Sequence, residues 1–477
     1  MTPQPISDAT AEHHDLAVVG GGTAGLVAAL VASAVGLDVV LVEAERTGGD
    51  CLWTGCVPSK SLLAAAETAH RMRTADRFGL EPVEPTVDLG KVLARVREVQ
   101  AAIEPVDSPE RLRAEGIAVV EGRGRFAAPG RLVVETAEGE QTIGFGRAVV
   151  ATGSSPSIPP IPGLAEADPL TTDTIWELDE LPRRLLVVGG GAIGAELGQA
   201  FARLGSSVTL VEAADRLLGA LPADAAAVID GVLRTEGVEI RTGRTVTAID
   251  AGHAVLDDGE RVPFDRVLVA VGRRPRTAGL GLDVVGVELD DRGAVMVDDR
   301  LRTTADGIYA GGDVTDLRPL TSVAAAHGRH IGVHAAFGYG APPPVATVPS
   351  VVYTSPEVAV VGEVGDVGAT HVRLDHADHD RSLTAGEPHG FTELVADRRG
   401  RLVGATVVGA AAGEAIAELA AAVRNGSKVT ELSAPHAYPS FSDATARAAE
   451  EWIRRRYDRP AFRRLGRTVA RLRRPRT

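Results

Sequence analysis

Two cysteines five positions apart, Cys51 and Cys56, are the whole cysteine content of this chain. They sit in the run Gly48-Gly49-Asp50-Cys51-Leu52-Trp53-Thr54-Gly55-Cys56-Val57-Pro58-Ser59-Lys60. A neighbouring thiol pair can carry two electrons by cycling between dithiol and disulfide. In a regular helix, residues five apart have Cα atoms roughly 8–9 Å from each other. A disulfide tolerates about 7 Å. If the two cysteines pair, the turn between them is distorted, and Gly55 and Pro58 permit that. The apolar stretch 62–66 predicts a helix continuing beyond Pro58, and a thiol near a helix N-terminus is favoured as thiolate, the reactive form. The plain alternative is two buried, inert cysteines. A metal site needs more ligands than this pair offers, and no histidine lies beside it. His371, His376, His379 and His389 lack regular ligand spacing, so they read as a polar surface stretch, and no metal site is expected.

The elements that would serve such a pair are announced by an internal repeat. Leu16-Ala17-Val18-Val19 is followed by Gly20-Gly21-Gly22-Thr23-Ala24-Gly25, an apolar helical segment, then Val39-Val40-Leu41-Val42 and Glu43. The same order recurs from Leu185 through Gly189-Gly190-Gly191-Ala192-Ile193-Gly194 to Glu212. In both copies the acidic residue lies 23 positions after the first glycine. Strand, glycine turn, helix, strand, acid is the arrangement that binds a dinucleotide. Gly20 and Gly189 make the tight turn. Gly22 and Gly191 let the backbone approach a pyrophosphate, and Gly25 and Gly194 let the helix pack close. The helix N-terminus offers free N–H groups to the phosphates. Glu43 and Glu212 are placed to accept from ribose hydroxyls. A carboxylate at 212 repels a 2′-phosphate, which favours NADH, although Arg216 four residues on keeps NADPH open.

Strands ending at Ala151-Thr152-Gly153 and at Val271-Gly272 close the two units, and Pro156, Pro159, Pro160 and Pro162 mark a linker. Pro342-Pro343-Pro344 marks another boundary, after which strand-like runs and the helical segment 411–425 predict an α+β domain. The chain has 477 residues and a net charge of −14. Residues 453–477 hold eleven arginines and one aspartate. That segment carries ten surplus positive charges, and the body before it carries −24. An acidic body with 4% aromatic residues disfavours nucleic-acid binding. The basic tail reads as solvated and partly helical, with a membrane surface or a partner as further options. No basic stretch followed by an apolar run opens the chain, and no apolar stretch reaches membrane-span length without interruption. With only two cysteines, this reads as cytoplasmic redox chemistry.

The cysteine run resembles the active-site signature of the pyridine nucleotide–disulfide oxidoreductases, the family of dihydrolipoyl dehydrogenase, glutathione reductase and mercuric reductase. Gly311-Gly312-Asp313 is similar to the family's second FAD motif. Ala151-Thr152-Gly153 and Val271-Gly272-Arg273-Arg274-Pro275 are similar to its nucleotide-domain signatures, and 348–357 resembles the opening of its dimer-interface domain. The resemblance implies an α/β protein with two doubly wound dinucleotide-binding domains and a C-terminal α+β dimerisation domain. The implied divisions are 12–163 and 272–340 for FAD, 164–271 for the nicotinamide, 341–452 for dimerisation and 453–477 for the basic tail. It implies that Gly49 and Asp313 serve FAD, Cys51 meets the substrate, Cys56 faces the flavin, and Lys60 pairs with Glu196 beside the isoalloxazine.

The resemblance further implies a homodimer in which the loop His436-Ala437-Tyr438-Pro439-Ser440-Phe441-Ser442-Asp443 faces Cys51 of the partner subunit. Here the sequence departs from the family. Tyr438 stands where the family has its acid/base histidine, and Asp443 stands where it has glutamate. His436 lies two residues away. A tyrosine here is similar to mercuric reductases, yet no cysteine follows Cys56, so their C-terminal thiol pair is missing. Trp53 replaces a common asparagine. The implied activity passes electrons from NAD(P)H through FAD to Cys51–Cys56 and on to a small-molecule disulfide, metal ion or quinone. The rivals are a flavin-level reductase or transhydrogenase with incidental thiols, and a regulatory or membrane-associated flavoprotein acting through its tail.

Overall fold

The structure, a computed structural model, describes residues 12–365, 369–458 and 460–473. The strand Glu12–Val19 ends in four buried residues of the Leu-Ala-Val-Val run and pairs in parallel with both Val39–Glu43 and Gly139–Val150. Apolar runs that are buried on both faces are what an interior parallel strand requires. Ile117–Glu121 extends the sheet on one side. Arg131–Thr136 and Arg123–Ala128 add an antiparallel meander on the other, and Ile308–Ala310 joins Gly139–Val150 in parallel. The helix Thr23–Ala34 covers this sheet and packs along Thr321–Phe337. Their approach is close because Gly328 and Gly332 face Ala24 and Ala28: a Cβ at Gly332 would stand 2.9 Å from the Ala28 carbonyl oxygen.

The second copy of the repeat builds a four-stranded parallel sheet, Glu239–Thr242, Ser207–Glu212, Arg184–Val188 and Arg266–Val269 in spatial order, with the helix Ala192–Leu204 after its glycine turn. A three-stranded antiparallel sheet from Val246–Asp250 to Arg261–Pro263 flanks it. The chain leaves the first sheet at Ser154–Pro156 and returns at Arg273–Pro275, and these two crossings pair with each other. Beyond the proline run lies a five-stranded antiparallel sheet ordered Ser350–Val352, Glu357–Gly362, Leu402–Gly409, Phe391–Ala396, Thr370–Asp375, covered by the helix Ala412–Asn425.

Two features differ from the sequence reading. The boundary drawn at 453 falls inside one helix, Asp443–Tyr457, whose buried alanines pack on the five-stranded sheet before its exposed basic end begins. A second helix, Pro460–Leu472, follows with no buried residue. His376 and His379 are not on the surface. Both are buried, His376 against Thr392 at 3.0 Å and His379 against Ser382 at 3.0 Å. Polar composition suggested exposure, but these local hydroxyl partners satisfy one nitrogen of each ring and permit burial.

Candidate functional site

The two glycine turns are near copies in space. Gly20 has φ 106° and Gly189 φ 109°, a region that L side chains avoid and glycine enters freely. A Cβ at Gly189 would lie 2.5 Å from the Ala270 carbonyl oxygen, and one at Gly20 would meet Ala151 in the same way. Gly25 and Gly194 each lie against the carbonyl of their own turn glycine. Gly22 and Gly191 are the N-caps of their helices, and no side chain caps either one, so the first N–H groups point into open space. The Glu43 carboxylate accepts from Gly21 N–H at 2.5 Å and Glu45 N–H at 2.7 Å; Glu212 accepts from Gly190 N–H at 2.5 Å and Ala214 N–H at 2.7 Å. Arg216 donates to the carbonyls of Leu218, Gly219 and Leu221.

Cys51 lies in a short helix, Gly49–Trp53, and Cys56 is the first residue of the next, Cys56–Arg73. The break falls at Thr54-Gly55, where a Cβ on Gly55 would stand 2.8 Å from the Asp50 carbonyl oxygen, while Pro58 sits inside the first turn of the second helix, where it is tolerated. Both cysteines are free thiols. The Cys51 thiol donates to Cys56, and this bond, with Thr321 and the Lys60 charge beside it, draws the Cys56 thiol down to about 6 against partial desolvation, although the residue is exposed. The same bond and burial push Cys51 upward. Thr321 Oγ1 stands 3.3 Å from Cys56 Sγ and 3.6 Å from Cys51 Sγ. Lys60 Nζ meets the buried Glu196 carboxylate at 2.8 Å and lies 4.4 Å from the centre of the Tyr353 ring. The other Glu196 oxygen accepts from Tyr353 N–H at 2.8 Å.

A cavity of about 1970 Å³ joins these parts. Gly20, Gly22, Glu43, Gly49, Cys51, Cys56, Lys60, Thr152, Gly153, Glu196 and Asp313 line it, and at its far side Ala192 and Ile193 bring in the second helix N-terminus. Burial raises the Asp313 carboxyl above its ordinary range, and Ser154 Oγ donates to it at 3.0 Å. Arg273 bonds Ser154, Thr172 and Asp50, and Arg276 adds a second bond to Asp50 at 3.2 Å. Gly49 has φ 57°, and a Cβ there would lie 2.7 Å from Gly22 Cα.

Against known proteins, residues 14–328 match the pyridine nucleotide-disulphide oxidoreductase family model, and residues 348–449 match the model of its dimerisation domain. The chain belongs to the pyridine nucleotide-disulphide oxidoreductase family. Among relatives of this oxidoreductase, a dihydrolipoyl dehydrogenase of Thermus scotoductus is 37% identical, covering 92% of this chain and 97% of its own. A mercuric reductase of Streptomyces lividans is 36% identical over 92% and 96%. Among solved structures, LpdA of Mycobacterium tuberculosis superposes with a TM-score of 0.84 at 34% identity, covering 92% of this chain and 99% of its own. The Cu(II) complex of the HOCl-induced flavoprotein disulfide reductase RclA of Escherichia coli gives 0.82 at 26%, with the same coverage. The protein is an FAD-dependent oxidoreductase that uses NAD(P)H and a redox disulfide. Its cavity fits FAD on its own features: a glycine cradle that a Cβ would fill, uncapped helix N–H groups, and the desolvated Asp313. The dimerisation-domain match supports a homodimer. Among the described residues no helix is long and apolar enough to cross a membrane.

The C-terminal loop of this oxidoreductase stands apart from the cavity, whose lining holds none of His436, Tyr438 and Asp443. Tyr438 is exposed, and its hydroxyl donates to Asp380 Oδ2 at 2.8 Å; that bond and the Asp380 charge raise the phenol above its ordinary value. His436 is held between Glu418 at 2.9 Å and the Ala434 carbonyl at 2.8 Å. Desolvation lowers its pKa, but these acceptors outweigh it and the net shift is upward. Asp443 opens its helix 3.9 Å from His379 Nε2. Thr321, Gln100 and Trp176 were not singled out in the sequence, and Tyr353 stood there only as part of the run 348–357. Gln100 donates to the carbonyls of Leu52 and Trp53, and the Trp176 indole donates to that of Thr54, so they tie down the backbone between the cysteines.

Proposed function

We propose that this oxidoreductase moves two electrons from NADH through FAD to the Cys51–Cys56 pair, and from there to an acceptor that needs no proton at a leaving sulfur, such as a soft metal ion or a quinone. The division of labour follows the sequence reading, with 12–163 and 272–340 seating FAD and 164–271 the nicotinamide. FAD supplies the two-electron relay between the nicotinamide and the sulfurs. Arrival of two electrons at the disulfide breaks the S–S bond, leaving Cys56 as thiolate and placing one proton on Cys51. Discharge re-forms the S–S bond, releases the Cys51 proton and passes both electrons to the acceptor. Lys60 stabilises the negative charge at Cys56, and Glu196 fixes Lys60. The observation that carries this reading is the placement of Cys56 at the N-terminus of its helix, with Thr321 Oγ1 at 3.3 Å and the Lys60–Glu196 pair lining the same cavity, a setting that draws Cys56 down. Glu212 supports NADH, since Arg216 is engaged by three carbonyls and offers no free cation to a 2′-phosphate.

The acceptor class follows from the loop, which we place over Cys51 of the partner subunit in a two-fold homodimer. Reduction of an alkyl disulfide expels a thiolate titrating near ~8.5, and a general acid near neutrality assists that step by about 10²–10⁴. The Tyr438 phenol, raised above its usual ~10, is a poor acid at neutral pH. His436 has both ring nitrogens engaged. A mercuric reductase among the relatives and a Cu(II) complex among the solved structures support a metal acceptor, whereas the dihydrolipoyl dehydrogenase relative is named for a dithiol substrate. Steady-state NADH oxidation with lipoamide, glutathione disulfide, a quinone, Cu(II) and Hg(II) tests the proposal, with the last three turning over faster. Lipoamide turnover at rates typical of good enzymes would sink it. Full turnover in a Cys51→Ser variant would transfer the activity to the flavin alone.

A further inference from the structure

The helix Pro460–Leu472 has no buried residue and follows the family's dimerisation domain, whose match ends at residue 449. Phe462, Leu465, Val469 and Leu472 recur at intervals of three and four, which places them on one stripe. Their exposures are 42%, 58%, 40% and 80%. Arg463, Arg464, Arg467 and Arg471 fall on the opposite arc. No acidic residue occurs from Pro460 to the end of the chain. Arg463 pairs with Asp458, while Arg464, Arg467 and Arg471 form no ion pair among the described residues. Just before the helix, Tyr457 stacks edge-on against Phe462 at 5.5 Å, adding a second aromatic beside the stripe.

We propose that this helix docks the enzyme on an anionic lipid surface. A helix with an apolar face and an arginine-rich opposite face lies in the plane of a membrane interface, its apolar side among the upper acyl chains and its cations among the headgroups. An anionic leaflet satisfies both faces at once, attracting the arginines and covering the stripe. A second copy of the chain and nucleic acid each satisfy only one. A second copy of the helix, stripe to stripe, would bring two arginine-rich segments together. Nucleic acid would take the arginines and leave Phe462 and Leu465 in water. The acidic body of the chain is the nearest counter-charge, yet the helix does not lie on it. Because the body before residue 453 is net negative, such a surface attracts the basic tail rather than the body as a whole. The inference is independent of the acceptor.

The test is co-sedimentation of the FAD-loaded full-length protein with vesicles of phosphatidylcholine alone and of phosphatidylcholine with phosphatidylglycerol. Binding is expected to the anionic vesicles only, weakening as salt is raised. Leu465→Asp with Val469→Asp should reduce vesicle binding about tenfold or more, and Arg464→Ser with Arg467→Ser should do the same, with flavin content and NADH-driven flavin reduction unchanged in both. No binding to anionic vesicles would overturn the proposal. Retention of full binding by the Asp variant would also overturn it, since the stripe would then be idle. Tighter binding to duplex DNA, or to an acidic polypeptide, than to anionic vesicles at the same salt would assign the surface elsewhere and overturn it as well.

Discussion

At the scale of single residues, the thiol pair makes a pH-dependent prediction with a definite sign. Cys56 is drawn down to about 6, whereas an unfolded thiol titrates near ~8.5. A depressed pKa contributes stability to the dithiol protein that is complete above the unfolded value and is lost as pH falls towards 6. The ultraviolet absorbance of thiolate in the reduced protein should therefore titrate with a midpoint near 6 in wild type and vanish there in Cys56→Ser. A wild-type midpoint at the ordinary thiol value would contradict the polarity assigned to the pair. Tyr438→His should raise lipoamide turnover by about 10²-fold or more if Asp443 orients the new ring, measured as kcat with the quinone rate as internal reference. An unchanged ratio of the two rates would show that the missing imidazole does not set acceptor choice.

At the scale of elements, the cradle around Gly22 depends on the short helix that carries Cys51. Gly49 has a positive φ and abuts Gly22, so Gly49→Ala combines a left-handed backbone, which costs about 1–2 kcal/mol, with a close Cβ contact. FAD retention should weaken by about tenfold or more while far-ultraviolet circular dichroism is preserved. Full flavin occupancy after gel filtration would argue that the two segments can part freely.

Much at this scale was legible in the sequence. The repeated glycine turns carry their own spacing, and both turns fold with the same dihedrals and the same acid-to-backbone bonds. The Lys60 and Glu196 pairing followed from the family's signature, and the two groups meet at 2.8 Å. Gln100, Trp176 and Thr321 were not legible, because each reaches the cysteine segment from a distant stretch with no motif of its own, and Tyr353, inside the run 348–357, gave no sign that it would meet Glu196. Burial of His376 and His379 was missed for a related reason: it depends on hydroxyls that only the folded chain brings alongside.

At the scale of the whole molecule, one buried cation ties three parts together. Arg203 bonds Glu236 through two nitrogens at 2.8 and 2.6 Å, Glu67 on the cysteine helix, and the Ser355 carbonyl beside the five-stranded sheet at 3.3 Å. Removing one partner of a buried ion pair costs about 3–5 kcal/mol, because the remaining charge is stranded. Arg203→Ala should lower the thermal midpoint by several degrees and split a single calorimetric transition into two. A single transition at the wild-type temperature would show that the parts are coupled elsewhere.

The two glycine cradles differ in one respect. A Cβ at Gly22 would stand 3.9 Å from Gly49 Cα, while one at Gly191 would meet nothing within 4 Å. Two turns of the same sequence pattern thus have different surroundings. At the first, the Gly49 segment stands beside the turn, so a bound pyrophosphate would have a second stretch of backbone next to it, which favours slow release. At the second, no such segment closes in, so a bound nucleotide would be held by its own contacts alone and would exchange faster. One cradle pattern, used twice, can in this way serve a tenant and a commuter, with the lifetime of each set by what stands opposite a glycine.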